Sequence, residues 1–99
     1  MDLDDHSVTK NGRKIELTLK EFEILKLLLQ NPKKVYTKEQ IYSHVWNDAY
    51  LGDENAVNVH ISRLRNKIED NPRKPGYIVT VWGIGYKLGA VKDARYMDF

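Results

Sequence analysis

The chain has 99 residues, 41% of them hydrophobic and 30% charged, a net charge of +2 and no cysteine. These values describe one domain with a single modest core. They exclude a disordered chain, a membrane span of roughly 18 apolar residues, and disulfides or thiolate zinc sites. The acidic start Met1-Asp2-Leu3-Asp4-Asp5 is neither a secretory signal nor a transit peptide, and with no cysteine to oxidise the chain reads as cytoplasmic.

Asn11-Gly12, between SVTK and RKIEL, is a strong hairpin signal, because both turn positions need φ > 0 and these residues tolerate it. Antiparallel strands are expected near 6–10 and 13–17, with Leu3 a candidate for the start of an earlier one. Thr18-Leu19-Lys20-Glu21 is a capping box, with Leu17 and Phe22 as its hydrophobic staple. Leu19, Phe22, Leu25, Leu28 and Leu29 then recur at helical spacing until Asn31-Pro32 stops the run. Thr37-Lys38-Glu39-Gln40 repeats the capping box, with Tyr36 and Ile41 as its staple, and Val35-Tyr36 has the makings of a very short strand. Ile41, Tyr42, Val45 and Trp46 form the buried side of the second helix. The polar, acidic stretch 47–54 (NDAYLGDE) is a loop.

Residues 55–70 organise the rest of the chain. At 100° per residue, Val57, Ile61, Leu64 and Ile68 fall within about 60° of one another and make a stripe that seats one helix on a core. The opposite face holds Asn55, Asn58, Ser62, Arg63 and Asn66 around Val59, where a merely solvated face would carry long charged side chains. Amides and arginine can bond base edges in pairs, and a small apolar group suits a thymine methyl. The plain alternative is a solvated helix with one stray valine. The segments 38–46 and 55–70 resemble a helix-turn-helix with a long turn. Residues 55–88 carry 6 basic and 2 acidic groups, so the basic excess lies on and just after this helix, where a polyanion would be met.

Asn71-Pro72-Arg73-Lys74-Pro75-Gly76 ends the helix and turns the chain. Tyr77 to Trp82 is β-branched and aromatic, Gly83-Ile84-Gly85 breaks it, and Tyr86-Lys87-Leu88 returns, which predicts a second hairpin with an aromatic residue near its tip. Residues 1–88 thus form one unit, and 89–99, which show no usable period, are left as a tail.

The combination LTLKEFEILKLLL, IYSHVW, NAVNVHISRLRNKIE and YIVTVWGIGYKL resembles the OmpR/PhoB family, the winged-helix DNA-binding effector domains of bacterial two-component response regulators. The likeness runs from about Leu3 to Leu88, and the tryptophan within VWGIGYK is similar to the VanR-like subset. The resemblance implies an α+β winged helix-turn-helix: an N-terminal antiparallel sheet, a three-helix bundle and a C-terminal β-hairpin wing paired with a short strand near Val35–Thr37. It implies sequence-specific binding of double-stranded DNA with 55–70 in the major groove and the wing, 77–88, on the backbone or minor groove. By residue, it implies base contacts from Asn58, Val59 and Arg63 and backbone contacts from Trp46, Asn55, His60, Ser62, Arg65 and Thr80. Trp82 and Lys87 belong to the wing, and Asp48, Tyr50, Leu51 and Asp53 to a loop, 47–54, that touches RNA polymerase in activating members.

The likeness also implies two copies bound head-to-tail on a direct-repeat operator, an upstream receiver domain that is absent here, and a fragment that is monomeric without DNA. Met1 is then expected to be the start of an excised piece. The chain departs from the family at four positions. Many members have Asp at the position of Asn58, some have Arg where Asn55 and Ser62 stand, and many carry an arginine at the position of Trp82 that enters the minor groove. Two readings of Trp82 follow: contact with the DNA backbone, or packing back over Tyr86 or Val79.

No enzyme is expected, and no cofactor or metal. His6, His44 and His60 lie on different elements, and Gly83-Ile84-Gly85 opens no helix that could hold a phosphate. The alternative function is a winged helix used only for protein–protein contact, which would more often show an apolar patch on the 55–70 face.

Overall fold

The computed structural model describes residues 6–48 and 54–89. Its elements are β1 (Ser7–Lys10), β2 (Arg13–Glu16), α1 (Leu19–Gln30), β3 (Tyr36–Thr37), α2 (Lys38–Trp46), α3 (Glu54–Ile68), β4 (Ile78–Val81) and β5 (Gly85–Leu88). This is the winged helix-turn-helix expected from the sequence. The strand at Leu3, the loop residues Tyr50, Leu51 and Asp53, and the tail from residue 90 lie outside the described residues.

The turn chemistry acts as read. Asn11 and Gly12 take φ of 51° and 77°, and β1 pairs antiparallel with β2, Val8 opposite Ile15. Both capping boxes form: Thr18 accepts from the Glu21 N–H while Glu21 accepts from the Thr18 N–H, and Thr37 and Gln40 exchange the same pair of bonds. Asn47 closes α2 in the left-handed region, φ 53° and ψ 42°, a conformation Asn tolerates at a helix end.

The α3 stripe is the spine of the core, with Val57, Ile61, Leu64 and Ile68 each no more than 1% exposed. On α1 the buried arc is broader than a single stripe. It centres on Glu21, Leu25 and Leu28 and takes in Ile24 and Leu27, because the helix packs on α2, α3 and β5. Leu19, expected in the core, falls outside that arc and stands 51% exposed. Glu21 lies inside the arc. Its burial alone would raise its pKa, but a hydrogen bond and ion pair from Lys67 and the bond from the Thr18 backbone outweigh this and hold the carboxyl below its usual value.

The wing belongs to a three-stranded sheet in the order β3-β5-β4, with Tyr36 opposite Tyr86 and Thr37 opposite Gly85. That register demands glycine at 85, since a Cβ there would lie 2.0 Å from the Tyr36 carbonyl oxygen. The hairpin closes through Trp82, Gly83 (φ 78°) and Ile84, and the Ile84 N–H donates to Val81 O.

The long helix ends at Ile68 and not at residue 70. Glu69 and Asp70 leave it for separate tasks. The Glu69 carboxylate accepts the N–H groups of Gly76, Tyr77 and Ile78 at 2.9 to 3.2 Å, which fixes where β4 starts. Asp70 pairs with Lys10 of β1.

Candidate nucleic-acid interface

The outer face of α3 is the side left over when the apolar stripe is buried. Asn55, Val59, Ser62, Arg63 and Asn66 are exposed, and Asn58 and His60 are half-buried on the helix's two shoulders. Each shoulder meets a different neighbour.

On one shoulder His60 sits edge-on to Trp46, ring centroids 5.0 Å apart, and Trp46 stacks on Tyr42. Lys20 donates to Val45 O with its ammonium 5.5 Å from the Trp46 ring. Two expected backbone contacts, Trp46 and His60, are thereby brought together. His60 Nδ1 lies 2.7 Å from Ala56 O. A carbonyl only accepts, so Nδ1 carries the proton and a neutral ring offers Nε2 solely as an acceptor. In that tautomer the ring has no N–H left to turn away from the helix.

On the other shoulder Arg65 donates from Nε and Nη2 to Ile78 O and from Nη2 to Thr80 Oγ1, with its guanidinium 5.5 Å from the Tyr86 ring centroid. Tyr86 donates its hydroxyl to Asn58 Oδ1 at 2.9 Å. The expected contacts Arg65 and Thr80 are thus bonded to each other, and most of the Arg65 fork is spent on holding the wing against α3. Lys67 is likewise engaged with Glu21. Of the basic groups that made up the sequence's excess on this helix, Arg63 alone has no partner among the described residues.

Between the wing and the helices lies a cleft of about 670 Å³ whose lining includes Thr37, Asn58, Arg65, Thr80, Trp82 and Tyr86. Trp82 is 89% exposed. The reading in which it folds back over Tyr86 or Val79 is overturned: the indole stands at the hairpin tip, beside the positive-φ turn at Gly83, and is left in solvent. Lys87 is half-buried on β5, and Asp48 is exposed just past α2. Sequence reasoning missed Tyr86 as the partner of Asn58. No local signal marked it, because the contact joins residues 28 positions apart, on α3 and β5. Among the described residues, no three His, Asp or Glu side chains converge in a way that would hold a metal ion, and no helix is long and apolar enough to cross a membrane.

Residues 12–88 match the family described as transcriptional regulatory protein, C terminal. The chain is 58% identical over 89 residues to the uncharacterized transcriptional regulatory protein YcbL of Bacillus subtilis, covering 90% of this chain and 39% of that protein. It therefore spans about two-fifths of that relative's length. Among solved structures it resembles the response regulator DrrB, a Thermotoga maritima OmpR/PhoB homolog, with TM-score 0.72 and 42% identity over 80% of this chain and 36% of that one. It also resembles the Klebsiella pneumoniae RstA DNA-binding domain in complex with the RstA box, with TM-score 0.79 and 28% identity over 89% and 87% of the two chains.

Proposed function

This chain belongs to the transcriptional regulatory protein C-terminal family, the OmpR/PhoB type of effector domain, and from that premise we propose that it binds double-stranded DNA sequence-specifically and regulates transcription as the output domain of a two-component response regulator. The observation that carries the reading is the outer face of α3, where Asn55, Val59, Ser62 and Arg63 stand clear of the core beside a wing that presents Trp82. The RstA domain, similar in fold, is bound to its box. On this reading α3 lies in the major groove, with Asn58, Val59 and Arg63 on base edges and Trp46, Asn55, His60, Ser62, Arg65 and Thr80 along the backbone. The protein-contact alternative is weaker, because Val59 is a lone apolar residue among polar ones and makes no patch.

The finer assignments follow the same reading. Residues 1–88 act as the binding unit and 89–99 as its tail. The protein works in the cytoplasm, answers to a receiver domain, and falls in the VanR-like subset on the strength of Trp82. The domain alone is a monomer that pairs head-to-tail on DNA. The segment 47–54, whose charges Asp48, Asp53 and Glu54 (the first residue of α3) are all acidic, gains nothing beside phosphates and is assigned to contact with RNA polymerase, with Tyr50 and Leu51 as the contact residues.

Selection from a random duplex pool tests the proposal. The expected product is a pair of direct repeats about 10–10.5 bp apart, one helical turn. No enrichment over the input pool overturns DNA readout, and an inverted pair overturns head-to-tail binding.

Trp82 carries a separate expectation. An uncharged indole is wide for a minor groove of about 6 Å, so it lies along the sugar–phosphate edge without reading bases. Because the side chain is in solvent, Trp82→Arg leaves the melting temperature unchanged, steepens the salt dependence by about one unit and adds a preference for A·T-rich flanks. Salt titration of wild type and variant on one operator checks this, and an unchanged slope would count against a wing that touches DNA.

A further inference from the structure

Among the described residues the wing holds two polar side chains of α3 directly, Arg65 and the amide of Asn58. Its Oδ1 accepts the Tyr86 hydroxyl, while its Nδ2 has no partner there. A phenol can donate or accept, so the direction of this bond needs a cause. The Arg65 guanidinium lies 5.5 Å from the Tyr86 ring centroid. A cation over the ring draws electron density from it, which strengthens the hydroxyl as a donor and weakens it as an acceptor. Arg65 is itself fixed by Ile78 O and Thr80 Oγ1, so the cation cannot leave the ring without breaking those bonds. The whole chain of contacts favours one amide orientation: oxygen toward the wing, NH2 away from it.

We infer that Tyr86 is a positioning residue that fixes the Asn58 amide with its NH2 outward, so that this position of the recognition helix selects a base edge offering an acceptor and rejects cytosine. In the major groove, guanine presents O6 and N7 and thymine presents O4, all acceptors, whereas cytosine presents only its N4 amino donor. A free asparagine would pair bidentately with adenine, using Oδ1 and Nδ2 together. Here Oδ1 is turned to Tyr86 and away from the base, so the two-bond pairing is given up; adenine keeps only its N7 acceptor beside an amino group that opposes the outward NH2, which favours guanine or thymine. An aspartate at the same position, acceptor-only when ionised, gives the opposite choice: with one oxygen on Tyr86, the other accepts from cytosine.

The inference rests on the DNA-binding reading, and its test separates the two. Wild type, Tyr86→Phe and Asn58→Asp are each put through selection from a random duplex pool, with thermal unfolding as the check on folding. The wild-type site should contain one position where guanine or thymine exceeds cytosine by roughly fivefold or more, the scale of one hydrogen bond to a base. Tyr86→Phe keeps the ring and its packing but releases the amide. Its site should be unchanged everywhere except that position, where adenine rises to the level of guanine and the bar on cytosine relaxes. Asn58→Asp, which leaves Tyr86 in place, should turn the same position to cytosine, and this arm stands even if Tyr86→Phe fails to fold. A folded Tyr86→Phe protein that selects the wild-type base, or an Asn58→Asp protein that still prefers guanine or thymine, overturns the role of Tyr86. If the wild type selects no site at all, DNA readout itself fails, and that outcome is visible before either variant is compared.

Discussion

Replacing Glu69 with alanine is expected to lower the melting temperature by roughly 12–24 °C, the equivalent of about 3 kcal/mol in a domain of this size. The carboxylate is 7% exposed and accepts three consecutive donors, the N–H groups of Gly76, Tyr77 and Ile78. Hydrogen bonds to a charged acceptor are worth roughly 1.5–3 kcal/mol each, and a buried donor left without a partner keeps its desolvation penalty. Ile78 is fully buried, so water does not reach its amide to compensate. Because those amides begin β4, the loss is not confined to a turn. The wing would lose its anchor to α3, and operator affinity would fall together with stability. Glutamine restores the shape but not the charge, and its NH2 faces donors, so Glu69→Gln should recover only part of the loss. The neighbouring acid is the control: Asp70 is 80% exposed in its pair with Lys10, and Asp70→Ala should cost no more than about 1 kcal/mol. Equal, small shifts for the two alanine variants, read by thermal unfolding, would remove Glu69 from this role.

Glu69 also shows where a sequence stops being readable. Local features came through because each has a short-range cause. The Asn11-Gly12 turn, the two capping boxes and the Val57, Ile61, Leu64, Ile68 stripe are set by residues within a few positions of one another. The wing's pairing with a strand at Tyr36–Thr37 came only through the family resemblance. What could not be read were the polar contacts between distant elements: Lys67 with Glu21 across 46 positions, Tyr86 with Asn58 across 28, Arg65 with Ile78 across 13. A charged residue on a helix looks the same in sequence whether it faces solvent or a neighbouring strand, so a count of basic groups overstated how much of α3 is free to meet a polyanion. There were hints. An acid at a helix C-terminus opposes the helix dipole, and Glu69 breaks that rule just before a proline- and glycine-rich turn. Arg65 and Asn58 both lie roughly 70–90° from the centre of the apolar stripe, on the shoulder where a packed neighbour reaches a helix. Both places where a local rule or the expected surface character gave way turned out to be where the wing is held.

That shoulder sets the last prediction, in which two arginines two residues apart behave differently. Arg63 is exposed on the outer face, without a partner among the described residues. Arg63→Ala should therefore leave the melting temperature within the range of an ordinary surface substitution, about 0.5 kcal/mol either way. On DNA its fork is placed to bond guanine O6 and N7 together, so the preferred site should lose roughly 1–3 kcal/mol and the preference at one base pair should flatten. Arg65 is tied to Ile78 O, Thr80 Oγ1 and the face of Tyr86. Arg65→Ala strands a carbonyl in the core and unfastens β4 from α3, so about 1–3 kcal/mol of stability should go first. Affinity should then fall by a similar factor on every sequence, since the wing's placement serves all of them alike. Arg65→Lys should rescue little: an ammonium is a point donor and cannot reproduce the planar fork that reaches Ile78 O and Thr80 Oγ1 at once. Melting curves and a panel of single-base operator variants for the three proteins separate the roles. A stable Arg65→Ala protein would mean that the wing stays seated without its arginine. A uniform loss across the panel for Arg63→Ala would move that residue from the bases to the backbone.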